Sequence, residues 1–128
     1  MSATQIGCLC SCGSDAGPKL LFACSGCADV GELADQAARQ LTRDGAGSMA
    51  CLAGISGQVS GIVKSAEAAS LILAIDGCPL DCTRKTLEIA GLPKVNHLRL
   101  SDLGFQKGAT EVTAESIAAV IDKAKLLL

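Results

Sequence analysis

The chain has 128 residues, a length that suits one domain and lets a core form without help from a disulfide or metal. A formal charge of -2, no basic run and no Trp or Tyr exclude a nucleic-acid surface of either the charged or the stacking kind. The apolar stretches are too short to span a bilayer. The first residues carry neither a basic n-region nor an apolar h-region, so a cytoplasmic, thiol-reduced setting is expected. In that setting eight cysteines point to metal or redox chemistry rather than to a disulfide framework.

Residues 1–17 lack apolar periodicity and read as a flexible arm. The arm carries Cys8, Cys10 and Cys12, either a soft-metal or redox patch or incidental thiols. Residues 18–128 read as a single domain. Pro18 to Cys24 is the first expected strand, with Cys24-Ser25-Gly26-Cys27 as its exit turn. A helix follows, its apolar residues Val30, Leu33, Ala34, Ala37, Ala38 and Leu41 falling on one stripe. Gly45 is placed to end it. Ser48 to Ala53 reads as a second strand and Gly54-Ile55-Ser56-Gly57 as a tight loop. Val59, Ile62, Val63 and Ala66 mark the next helix. Leu71 to Ile75 is an apolar run that reads as a buried strand.

Asp76-Gly77 then signals a turn, and Pro79 suits the first position of a helix. That places Cys78 at the N-cap and Cys82 one turn later. The helix continues through Leu80, Thr83, Leu87 and Ala90 to Gly91. Val95 to Leu100 alternates apolar and polar residues and suits an edge strand. Residues 101–111 read as a loop, and Thr113 as the cap of a last helix bearing Ile117, Val120, Ile121, Ala124 and Leu127. Four alternations of strand and helix make an α/β domain with a mainly parallel sheet, Rossmann-like or flavodoxin-like. A strand order of 2-1-3-4 is expected, with a topological switch between the first and third strands.

The cysteines follow that plan. Cys24, Cys51 and Cys78 each end one of the first three strands, while Cys27 and Cys82 are expected in the first turns of the helices that follow. All five therefore gather at the sheet's C-terminal edge, where α/β folds bind ligands. Neighbouring strands lie ~4.8 Å apart. Sulfurs around tetrahedral zinc need a separation of roughly 3.8 Å, within reach of leaning side chains. Thiolates select zinc, copper(I) or an iron–sulfur cluster over magnesium or calcium.

Two rival chemistries share these residues. Cys24-Ser25-Gly26-Cys27 has the spacing of a thiol–disulfide redox site, but that leaves the other edge cysteines without a task. Cys78 to Arg84 has the spacing of a phosphate-cradling nucleophile loop; there Pro79 removes an N–H and Asp81 repels an anion. His97, in mid-strand, reads as a satisfied histidine rather than a ligand. Asp76 reads as a turn former, ahead of the alternative that it orients a ligand through a hydrogen bond, and Asp29 and Glu32 read as carboxylates that favour a helix start.

Ile75-Asp76-Gly77-Cys78-Pro79-Leu80-Asp81-Cys82, together with Cys24-Ser25-Gly26, Asp29-Val30-Gly31-Glu32 and Cys51-Leu52-Ala53-Gly54, resembles the zinc-binding family named for its Asp-Gly-Cys (DGC) motif. The resemblance covers about residues 18–103. It implies four zinc ligands, which by motif are Cys24, Cys51, Cys78 and Cys82. Cys27 departs from the family pattern and is a further candidate. The expectation is thus a zinc-binding protein, more a sensor, store or carrier than an enzyme. An iron–sulfur protein and a thiol oxidoreductase using Cys24 and Cys27 are the alternatives. The expected partners are the metal ion and a protein that exchanges metal or thiol. The alanine stripe and Leu126-Leu127-Leu128 suit either a homodimer or packing on the chain's own core.

Overall fold

Two apolar runs, Lys19–Ala23 (β1) and Leu71–Asp76 (β3), pair in parallel at the centre of the sheet, with Leu20 beside Ile72 and Ala23 beside Ile75. The computed structural model describes residues 17–128, so the expected arm with Cys8, Cys10 and Cys12 lies outside the described residues. Ser48–Met49 (β2) flanks β1 and Val95–Arg99 (β4) flanks β3, both in parallel. The strand order is therefore 2-1-3-4, as expected from the sequence, with the switch between β1 and β3.

Helices Asp29–Arg43 (α1) and Ala114–Lys125 (α5) cover one face; Leu52–Ser56 (α2), Ser60–Glu67 (α3) and Cys82–Ile89 (α4) lie on the other. Leu21, Ala23, Leu73 and Ile75 meet the first layer; Leu20, Phe22, Ile72 and Ala74 meet the second. Because both faces are covered, the central strands are continuously apolar rather than alternating. The stripe on α1 is buried as read, from Val30 through Leu41. Gly45 adopts a positive φ beyond its end, and Ala46 N–H returns to the Leu41 carbonyl at 3.0 Å. Thr113 caps α5 reciprocally with Ser116. Leu127 and Leu128 pack on the core, while Leu126 is exposed.

Two local expectations are corrected. The second strand stops at Met49, and Leu52–Ser56 is a short helix rather than strand and loop. Gly54 serves a close contact there: a Cβ would strike the Ile62 side chain of α3. Cys78 is not an N-cap either. Its carbonyl accepts the Asp81 N–H at 3.2 Å, so Cys78-Pro79-Leu80-Asp81 is a turn and α4 begins at Cys82. Pro79, with its fixed φ, occupies the second position of that turn, a place it suits as well as a helix start.

Candidate functional site

The described cysteines leave the sheet at its C-terminal edge, and all five are free thiols. Cys24 directly follows β1, is half-buried, and donates its N–H to the Ile75 carbonyl at 3.1 Å. Cys51 is exposed at the N-cap position of α2; the preceding Ala50 N–H still bonds Leu21 O at 2.9 Å. Cys78 is half-buried in the turn after β3, and Cys82 is exposed at the start of α4. Cys27 is exposed and lies before α1, not in its first turn as expected.

Glycine contacts lock these loops to one another. A Cβ on Gly77 would come within 2.7 Å of the Val30 backbone, so the turn bearing Cys78 rests on the first turn of α1. A Cβ on Gly31 would meet the Gly26 backbone at 2.7 Å, which seats the Cys24–Cys27 loop on the same turn. Both loops also hold a non-glycine residue in the left-handed region, Ser25 and Asp81. Asp29, the first residue of α1, accepts N–H bonds from Gly108 and Thr110 at 2.9 Å each. Those two amides hold its carboxyl below the usual carboxylate range, and they pin the loop that follows β4 against the start of α1.

Beneath the Cys78 turn is a charged network that sequence reasoning gave too little weight. Asp76 is buried at the end of β3. One carboxylate oxygen accepts the Thr83 N–H at 2.7 Å; the other accepts the Arg84 N–H at 3.1 Å and faces His97 Nε2 at 2.9 Å. Asp76 thus caps α4 from across the turn, satisfying two of the helix's orphan amides. Asp81 receives Arg99 through Nε at 2.8 Å and through Nη2, and Arg84 Nη2 at 2.9 Å. Hydrogen bonds from Arg99 hold the Asp81 carboxyl far below its ordinary range; burial opposes them and Arg84 adds to them. The same pairing raises Arg99.

Asp76, Asp81 and His97 present ligand atoms within 4.8 Å of one another, the one such group of three or more among the described residues. Their oxygens are already engaged by backbone amides and arginines, so this group braces the turn instead of awaiting a cation. His97 is therefore the satisfied histidine the sequence suggested. The five thiols do not form a comparable cluster among the described residues. They border an open edge.

Cys24 and Cys51 do share a cavity of about 790 Å³, between α1, the end of β2, and α2. Cys27, Cys78 and Cys82 are not in its lining, although Thr86 of α4 is, and its hydroxyl donates to the Cys82 carbonyl at 2.7 Å. The α1 wall carries Asp35, Arg39 and Arg43. Burial raises the Asp35 carboxyl, but bonds from Arg39 Nε and Ser25 Oγ, both 2.7 Å, outweigh it and hold the group low. Sequence reasoning missed these arginines. The four-residue spacing of Asp35 and Arg39 could have flagged the pair, whereas the cavity itself depends on the fold.

The DGC domain model matches residues 20–124. Over 88 residues the chain is 41% identical to the anaerobic and virulence modulator AnvM of Pseudomonas aeruginosa, covering 69% of this chain and 67% of that protein. No solved structure matches. The Asp76-Gly77-Cys78 turn thus has a name as well as a geometry: the chain belongs to the DGC domain family.

Proposed function

We propose that the thiol-bearing edge binds one soft metal ion, zinc in the first instance, through Cys24, Cys51, Cys78 and Cys82, with Cys27 as a spare ligand. The observation that supports this reading is that Cys24, Cys51 and Cys78 follow the C-terminal ends of three adjacent strands, with Cys27 and Cys82 farther along the same connections. The donor chemistry fits a soft metal and not magnesium or calcium. The open spacing of the sulfurs fits an ion that is taken up and given away better than a closed structural tetrahedron. The chain's own residues supply the frame. Asp76, His97, Asp81 and Arg99 hold the Cys78 turn and the start of α4, while Gly77 and Gly31 seat both cysteine loops on α1. A bound zinc would supply charge to neutralise the thiolates and a point of exchange for an outside ligand. The relative's description as a modulator favours sensing or delivery over catalysis.

Metal analysis of the full chain purified anaerobically tests the reading. About one zinc per chain is expected, lost together with at least tenfold in affinity when Cys78 or Cys82 is changed to Ser. Iron with sulfide and visible absorbance would assign an iron–sulfur cluster to the same thiols. Protein that holds no metal and takes up neither zinc nor iron on reconstitution would overturn the proposal. A mixed disulfide trapped only when Cys24 and Cys27 are both present would then favour the redox alternative.

A further inference from the structure

The cavity shared by Cys24 and Cys51 combines three features, of which its volume and its charge are not required by metal binding. Its volume of about 790 Å³ is that of a small-molecule site. Two free thiols line it beside the ends of β1 and β2. Its α1 wall carries an unmatched positive charge: Asp35 neutralises Arg39, but among the described residues no carboxylate pairs with Arg43. Arg43 Nη2 donates to Gln40 Oε1 at 2.8 Å, and its other N–H groups remain able to grip a carboxylate as a fork.

We propose that this cavity is a docking site for carboxylate-bearing low-molecular-weight disulfides, which thiolate Cys51. The carboxylate sits on Arg43 and the disulfide lies toward the cysteines. Cys51 is the nucleophile because it is exposed and can carry the adduct, whereas Cys24 is half-buried. The Cys51 thiolate attacks one sulfur of the disulfide. A Cys51–sulfur bond forms as the reagent's own S–S bond breaks, and the other half leaves as a thiolate that takes a proton from water. Cys51 is oxidised to the disulfide level and the leaving sulfur is reduced, so no further oxidant is needed. The proposal does not depend on metal binding.

The test treats the full chain, freed of metal by a chelator, with three reagents: anionic glutathione disulfide, neutral hydroxyethyl disulfide and cationic cystamine. Peptide mapping by mass spectrometry gives the rate at each cysteine. The glutathione-to-hydroxyethyl rate ratio is expected to be about tenfold higher at Cys51 than at exposed Cys27 or Cys82, with cystamine showing no such preference. Arg43→Ala should lower the Cys51 ratio by about fivefold, Arg43→Lys should restore part of it, and salt should erode it in the parent chain. An equal ratio at Cys51, Cys27 and Cys82, or a Cys51 ratio indifferent to both salt and Arg43→Ala, would overturn the proposal. Metal content is measured separately, so failure of one reading leaves the other to stand on its own result.

Discussion

Gly77 shows how a single missing methyl can hold a site together. Its would-be Cβ meets the carbonyl carbon, oxygen and side chain of Val30, within 2.7 to 2.9 Å. Backbone atoms at the start of a helix cannot step aside, so Gly77→Ala should cost roughly 1–3 kcal/mol by overpacking. Gly26 is an internal control: a Cβ there meets nothing within 4 Å, so Gly26→Ala should change stability by less than about 0.5 kcal/mol. Urea denaturation of both variants checks the contrast, and equal effects would mean that the Gly77 contact is not tight in solution. The sequence marked Asp76-Gly77 only as a turn. It could not show that the glycine is required by a helix some 45 residues earlier, because that requirement arises from packing and not from local conformation.

At the scale of elements, periodicity located most of the fold and misplaced two short pieces. The α1 stripe was legible because 15 residues carry several turns of signal. The five residues of α2 carry little more than one turn and hold no polar face to set a period, so Leu52–Ser56 passed for strand and loop. The start of α4 was misplaced because Pro79 suits a turn and a helix start equally, and because the true cap, Asp76, reaches across from another element. That cap yields a prediction. Asp76→Ala leaves two amides of α4 and His97 without their acceptor, and should cost roughly 2–4 kcal/mol. Asp76→Asn keeps one acceptor oxygen and should cost less. Thermal unfolding of the pair decides it; an Asn variant as damaged as the Ala variant would mean that the carboxylate's charge, and not its capping, is what α4 needs.

On the scale of the whole molecule, the parallel sheet was readable from the alternation of elements, and the expected order 2-1-3-4 is the one found; it sets the strand ends that precede Cys24, Cys51 and Cys78 side by side. The ion pairs under that edge were not readable, since Asp81 in the turn before α4 and Arg99 at the end of β4 are brought together only by the fold. They set an acid limit on stability. The Asp81 carboxyl is held below its unfolded value of 3.8, so it contributes stability above that pH and loses it as the pH falls further toward the folded value. Asp29 and Asp35 are depressed as well and act in the same window. The parent should therefore lose stability below about pH 4, and Asp81→Asn should be weaker at neutral pH but flatter through the acid range. Parallel acid-dependence curves for the two proteins would show that Asp81 is not a source of that loss. The brevity of β2 has a consequence of another kind. A chain that is 49% hydrophobic with a bare outer strand would invite neighbours to extend its sheet. Two residues of β2 offer too short a row of amides and carbonyls to template a partner, and the opposite margin, β4, places His97 and Arg99 among its five residues. Among the described residues the sheet ends in a two-residue strand on one side and an arginine-bearing strand on the other, so both margins discourage strand addition and aggregation.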